Sequence, residues 1–389
     1  MNKMMKSSIS LIAALISIVA GLLVGLGVMF AIGGQEPLRA MGILLTSGLP
    51  GNPEFGKVLY QAAPLIMTGL SVGFAFKTGL FNIGASGQFT VGSFVALLLG
   101  LVFKMPWYVC MIGAAAGGAI WGFFPGFFKA FFNVNEVITS IMFNWIGLYA
   151  VCVSIANIPP MLPRFYHPSG ITNETAKFEL AGNPGGLIPK IGLDKLFGSP
   201  YMGAGVIIAI LLAVLVWVIL NKTTFGYELK ACGLNKSASI YAGINAKRNI
   251  ILSMVIAGAL SGIAGSLYYQ SGVSQFGIKI ELAPMGFNGI PVALLATSHP
   301  LGIIFSAIFI SFINVGGEKM QQLEYSTQVI AIIIAVIIYF SAFFFLVKGF
   351  LAKVIGLDKS NVNAEPAPVI APAGEESETV LIEPAEREE

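Results

Sequence analysis

From about residue 11 to residue 349 the chain passes through ten apolar segments whose central stretches contain no Asp, Glu, Lys, Arg or His. They centre on residues 11–33, 58–76, 85–103, 107–128, 137–157, 201–220, 250–270, 286–298, 300–315 and 327–349. A run of about 20 apolar residues is what a helix needs to cross the roughly 30 Å hydrocarbon core of a bilayer. Inside that core every backbone polar group must be paired within the chain, which leaves helices as the answer for segments of this length. The expected fold is therefore all-α, a polytopic integral membrane protein of about ten transmembrane helices. Only 11% of the residues are charged, against about 25% in soluble domains. A soluble enzyme is excluded, and so is a nucleic-acid binder, because the net charge of +3 comes without a basic stripe.

The charge is unevenly placed. Residues 358–389 hold nine of the 19 acidic side chains and two of the 22 basic ones, which leaves 20 basic and ten acidic groups for the rest. Two regions follow: a basic membrane domain over residues 1–355, and a Pro/Ala/Glu-rich acidic tail over 356–389. The tail has too little apolar surface to offset the entropy of ordering and reads as disordered. The opening MNKMMKSSIS precedes an apolar run longer than a signal-peptide core, so it reads as an uncleaved first span. With the N-terminus inside, twelve Lys and Arg fall in inner segments and nine in outer ones. The inner segments are shorter, so their basic density is roughly double, as the positive-inside rule requires. Ten spans then place both termini in the cytoplasm. The segment at 286–298 is short for a span and reads as broken or re-entrant, a form tolerated where protein covers its backbone.

The chain lacks G-x-x-x-x-G-K-[ST], so it does not bind ATP by that route. Without ionisable groups at span centres, proton coupling lacks its usual carriers. The energy for any transport would come from a partner. Gly113, Gly117, Gly118, Gly122 and Gly126 on one segment, and Gly258 and Gly262 on another, read as close helix packing. More unusual is KTGLFNIGASGQFTVG from Lys77 to Gly92, where amides and glycines interrupt an apolar run. It suggests an irregular segment lining a polar path. SQFGIKIELAPMGFNGIPVALL, from Ser274 to Leu295, repeats the style in the second half. Two halves of about five spans suggest an inverted repeat. His167 and His299 have no partner cluster, and the three cysteines have neither metal nor disulfide spacing.

FNIGASGQ (Phe81–Gln88) resembles the FNIG-x-x-GQ signature of the permease subunits of ATP-binding-cassette importers for nucleosides and simple sugars. The loop TTFGYELKACGLNKSASIYAGIN (Thr223–Asn245) is similar to that family's coupling segment, with the pattern matched at Gly226, Ala231, Gly233, Asn235, Ala238, Gly243 and Ile244. GFNGIPVALL at Gly286–Leu295 fits a further stretch of the family, and the resemblance covers about residues 5–355.

The resemblance implies a multi-pass permease of a bacterial cell membrane, without catalytic residues, metal or cofactor of its own. The implied partners are a cytoplasmic ATPase that consumes ATP, a second permease subunit in a heterodimer, and an extracytoplasmic substrate-binding lipoprotein. The coupling residues would be the seven above with Glu228, whose carboxylate can form a rim ion pair. For the solute path the candidates are Asn82, Gln88, Asn144 and Asn288, whose amides can hydrogen-bond a sugar hydroxyl or a base edge. Phe81, Trp145 and Phe287 are neighbouring aromatics able to stack on a flat base. The competing role for each is interhelical packing. A nucleoside is the expected solute; a simple sugar or a branched-chain amino acid served by the same kind of permease is the alternative, followed by a secondary carrier and a membrane scaffold. Alternation of the path is expected from one repeat rocking against the other.

Overall fold

The computed structural model describes Ile16, residues 19–31 and residues 36–342 apart from Pro53, Pro168 and Glu324. The acidic tail over 356–389, the start of the first expected span and the close of the last lie outside the described residues. In chain order the helices are α1 (Val19–Ala31), α2 (Pro37–Thr46), α3 (Phe55–Lys77), α4 (Ala85–Leu97), α5 (Trp107–Phe132) and α6 (Glu136–Asn157). A π-helical turn prolongs α4 to Val102. A long loop with the short helices α7 (Pro163–Tyr166) and α8 (Leu193–Leu196) leads to α9 (Gly205–Lys222). Next come α10 (Thr224–Leu234), α11 (Lys236–Tyr241), α12 (Ala246–Tyr269), α13 (Pro284–Leu295), α14 (Pro300–Met320) and α15 (Thr327–Ala342).

Among the described residues seven helices are long and apolar enough to cross a membrane: α3, α4 with its extension, α5, α6, α9, α12 and α14. The other three expected segments correspond to α1, α13 and α15. At 12 residues α13 spans only about 18 Å, at 1.5 Å per residue, so it falls short of a crossing.

One end of the bundle carries Lys77, and there Leu80 packs with Ala130 of α5 and with Ile250 and Met254 of α12. The opposite end carries Lys57, where the long loop docks: Ile188 N–H donates to Gln270 O, and Asn183 Nδ2 donates to Gly100 O and Met105 O, both at 2.9 Å. At the centre stands α3, buried from Tyr60 through Ala75. It packs on α12, α13, α14 and α9, while α12 packs on α3, α4 and α5. Helix α3 thus meets α13 and α14 while α12 meets α4 and α5.

The two halves interlock rather than abut. Where α5 crosses α12, a Cβ on Gly118 would lie 2.2 Å from Gly258 O, and one on Gly262 would lie 2.1 Å from Ala114 O. Lipid supplies no hydrophobic drive between helices, so backbone approach of this kind carries the association. The glycines read as packing residues are packing residues. Rocking one half against the other would have to disrupt this crossing and the α3–α14 contact together.

Candidate functional site

Two helices begin inside the bundle instead of at its ends. After Lys77 the chain turns back on itself: Asn82 Nδ2 donates to Ser71 Oγ at 3.0 Å. Ser71 lies six residues, or about 9 Å, before the end of α3. From there α4 runs towards the Lys57 end. Helix α13 begins beside it, with Ser86 Oγ donating to Ala283 O at 3.0 Å. Its later residues and the turn after it meet α3 progressively closer to Lys77, Gly289 against Thr68, Val292 against Gly69 and Ser298 against Gly73. The two helices thus start side by side and diverge, placing both partly positive N-termini within the length of the bundle.

The amides of the FNIG segment hold this start together. Asn82 and Gln88 exchange hydrogen bonds, Asn82 Nδ2 to Gln88 Oε1 at 2.9 Å and Gln88 Nε2 to Asn82 Oδ1 at 3.2 Å. Asn144 of α6 accepts from Gly87 N–H at 2.8 Å and donates to Ile83 O at 3.1 Å. Ser261 Oγ of α12 donates to Ser71 Oγ at 2.9 Å, closing a polar seam through α3, α4, α6 and α12. Each of these amides is 1% exposed or less, and pairing is what makes such burial tolerable. The motif glycines follow from the same crowding. A Cβ on Gly87 would lie 2.8 Å from Asn144 Oδ1, and one on Gly84 within 3.2 Å of Asn82, Gln88 and Ser140 polar atoms.

Asn82 and Gln88 are therefore bonded to each other, and Asn144 to the backbone of the same segment. Phe81 stacks on Phe76 with centroids 5.1 Å apart. Phe287 and Asn288 are half-buried on α13, and the Asn288 amide has no partner among the described residues. Trp145 is set apart from its neighbour Asn144: it is 41% exposed and points away from the seam, beside Tyr149.

At the Lys77 end, α10 and α11 form a small platform whose motif residues build its shape. Thr223 Oγ1 caps α10 by accepting from Gly226 N–H at 3.1 Å, and Asn235 Oδ1 caps α11 by accepting from Ala238 N–H at 2.9 Å. Helix α11 stops at Gly243, whose φ of 81° suits glycine, and Ile244 N–H donates back to Ser239 O at 3.0 Å. Gly226 lies on the last turn of α9, where a Cβ would sit 2.2 Å from Ile219 O. Gly233 lies on the turn after α3, where a Cβ would sit 2.5 Å from Lys77 O and 2.9 Å from Gly79 N. Ala231 is half-buried between these two seats. Glu228 is occupied within the chain, accepting from Arg248 at 2.9 Å and from Asn249 at 3.2 Å.

What the platform presents outward is a set of large apolar side chains that the motif does not include. Tyr227, Leu234, Ile240 and Tyr241 are all exposed, Tyr241 to 93%. An apolar cluster on a polar, basic loop was the available sequence signal, since a loop that only faced water would not carry it.

Residues 55–342 match the family described as branched-chain amino acid transport system / permease component. The chain is 35% identical over 356 residues to the guanosine ABC transporter permease protein NupP of Bacillus subtilis, covering 90% of this chain and 98% of that one. It is 35% identical over 345 residues to the nucleoside ABC transporter permease protein NupB of Lactococcus lactis, covering 87% and 92% respectively. A second Bacillus subtilis protein, the guanosine ABC transporter permease protein NupQ, is 28% identical over 65% of this chain and 78% of its own length. No solved structure matches.

Proposed function

This chain belongs to the branched-chain amino acid transport system / permease component family, and on that basis we propose that it is the membrane-spanning half of an ATP-driven nucleoside importer. The solute follows from the similarity to permeases named for guanosine and nucleoside transport. The proposed partners are a cytoplasmic ATPase, a second permease chain and an extracytoplasmic binding lipoprotein. Two guanosine permease proteins from one bacterium both resemble this chain, which supports a heterodimer. The chain itself holds no cofactor in this scheme; ATP is bound by the partner. The Lys77 end faces the cytoplasm, together with both termini, and the membrane is the bacterial cell membrane.

The observation that carries the reading is the platform at the Lys77 end. Its outward face, Tyr227, Leu234, Ile240 and Tyr241, suits a groove on another protein. Its inward face rests on the backbone of α3 and α9 through Gly233 and Gly226. A push on the platform is delivered directly to the central helix, with no flexible side chain between them to absorb it. Because the two halves interlock, the displacement turns the whole subunit, and the solute path opens and closes between this subunit and its partner permease. Differential contact of the platform with two ATPase states supplies the coupling.

Reconstitution tests this. Vesicles containing both permease chains and the ATPase should accumulate nucleoside against a gradient when ATP and the loaded binding protein are supplied. Vesicles with this chain alone should accumulate none. Uphill uptake by the lone chain would refute the reading.

A further inference from the structure

Helix α6 has two faces of different character. One faces the seam, with Ser140, Asn144, Gly147, Leu148 and Val151 buried. The other exposes Ile138, Met142, Trp145, Ile146, Tyr149 and Val153. The helix is 22 residues long, about 33 Å, which matches the roughly 30 Å hydrocarbon core. Trp145 and Tyr149 stand nine and 13 residues after Glu136, about 14 and 20 Å along, so they bracket the middle of the helix.

That is the wrong depth for two polar-tipped aromatics facing lipid. Trp and Tyr collect at the membrane–water boundary, where the indole N–H and phenol O–H reach water. Aromatics at the ends of two other helices follow that rule. Trp107 and Tyr108 open α5, and Trp217 lies near the end of α9 with the Lys222 ammonium 5.9 Å from its ring. The exposed middle of α9 is aliphatic, with Leu211, Val214, Leu215 and Val218. On α6, by contrast, Trp145 is 41% and Tyr149 49% exposed. Their rings lie 6.2 Å apart, and neither polar tip has a hydrogen-bond partner among the described residues. In hydrocarbon those tips would stay unpaired at a cost that buried polar groups rarely bear.

We infer that Trp145 and Tyr149 line the aqueous path and form the contact surface for the nucleobase of the transported solute. The inference rests on the nucleoside-importer reading for its ligand but not for the aqueous path. The rings supply flat apolar area for a base, which stacks on aromatic faces whatever its identity. The phenol O–H and indole N–H, unused within the subunit, are free for water or the solute. The surface stands behind the paired amides of the seam, so the seam sets the position of α6 while its exposed face meets the cargo.

The test combines thiol accessibility with uptake in sealed vesicles holding the full transporter. Tyr149→Cys should react with a membrane-impermeant, charged methanethiosulfonate, and saturating nucleoside should slow that reaction. Leu211→Cys, on the aliphatic face of α9 about 17 Å from its inner end, should not react; the wild type, whose three cysteines are buried, gives the background. Tyr149→Leu and Trp145→Leu should each lower nucleoside uptake at subsaturating concentration by about tenfold, within the range for loss of one base–aromatic stack. Tyr149→Phe, which keeps the ring, should fall less. An unreactive thiol in Tyr149→Cys, in an assembled and inserted complex, would mean that lipid or a dry interface covers this face, and would overturn the inference. Reaction that nucleoside does not slow would overturn the base contact. Failure of the wild type to import nucleoside would count against the proposed function instead, while the labelling would still report on the path.

Discussion

Replacing Gly233 with alanine puts a methyl carbon 2.5 Å from Lys77 O, 2.9 Å from Gly79 N and 2.9 Å from Thr78 C. All three are backbone atoms, so no side chain can swing aside. Restoring an ordinary contact of about 3.4 Å requires the platform to lift by about 1 Å from the turn after α3. Overpacking of this kind costs about 1–3 kcal/mol. A lift of that size need not bury the outward residues Tyr227, Leu234, Ile240 and Tyr241, all of which are exposed. Gly233→Ala should therefore keep the ATPase bound yet transmit its motion poorly. The expected result is normal insertion and co-purification of the ATPase with uptake reduced about 5- to 150-fold, the equilibrium equivalent of 1–3 kcal/mol. Gly233→Trp should abolish uptake. Co-purification in mild detergent and initial uptake rates measure the two effects. Unchanged uptake in Gly233→Trp, with the ATPase still bound, would refute transmission through this contact. Loss of the ATPase in Gly233→Ala would show instead that the platform's outer face depends on the same seat.

Asn144→Leu removes both hydrogen bonds from α6 to the FNIG segment and leaves Gly87 N–H and Ile83 O without them. At about 1–3 kcal/mol for each orphaned group, moderated by the smaller values typical of membrane interiors, the detergent-solubilised protein should melt several degrees lower, as read by a thermal unfolding scan. At the Lys57 end, Lys57 pairs with Glu318 and Lys319 with Glu54 at 2.8 Å, joining α3 to α14 through partly exposed groups. Lys57→Met should cost under about 1 kcal/mol. Lys57→Glu should cost more by gathering three carboxylates, and Lys57→Glu with Glu318→Lys should recover most of the loss in the same melting assay.

Much of the architecture could be read directly from the residues. Long uncharged apolar runs can only be helices in hydrocarbon, so the helices, their sequence order and the shortness of the 286–298 segment follow from composition and length alone. The motif glycines and asparagines were visible too, as were the two interrupted segments, Lys77–Gly92 and Ser274–Leu295. Their roles were not visible. An amide in an apolar run is equally compatible with lining a path and with bridging helices. Asn82, Gln88 and Asn144 became bridging groups only when the fold laid Ser71, Gly87 and Ile83 against them. Glu228, which on its own looked available to a partner, is taken by Arg248 from the first turn of α12.

Adjacent residues on α6 show the boundary most plainly. Asn144 and Trp145 are neighbours in the chain, and a helix turns them about 100° apart, so they cannot share a face. Local sequence determines that separation, but not which face meets protein and which meets the outside. That choice depended on where α4 and α12 pack, many residues away, and it placed the amide in the seam and the indole in the open. Spans, breaks and caps are short-range consequences of solvent and backbone geometry. Partners across the bundle are long-range, and only the assembled helices could choose them.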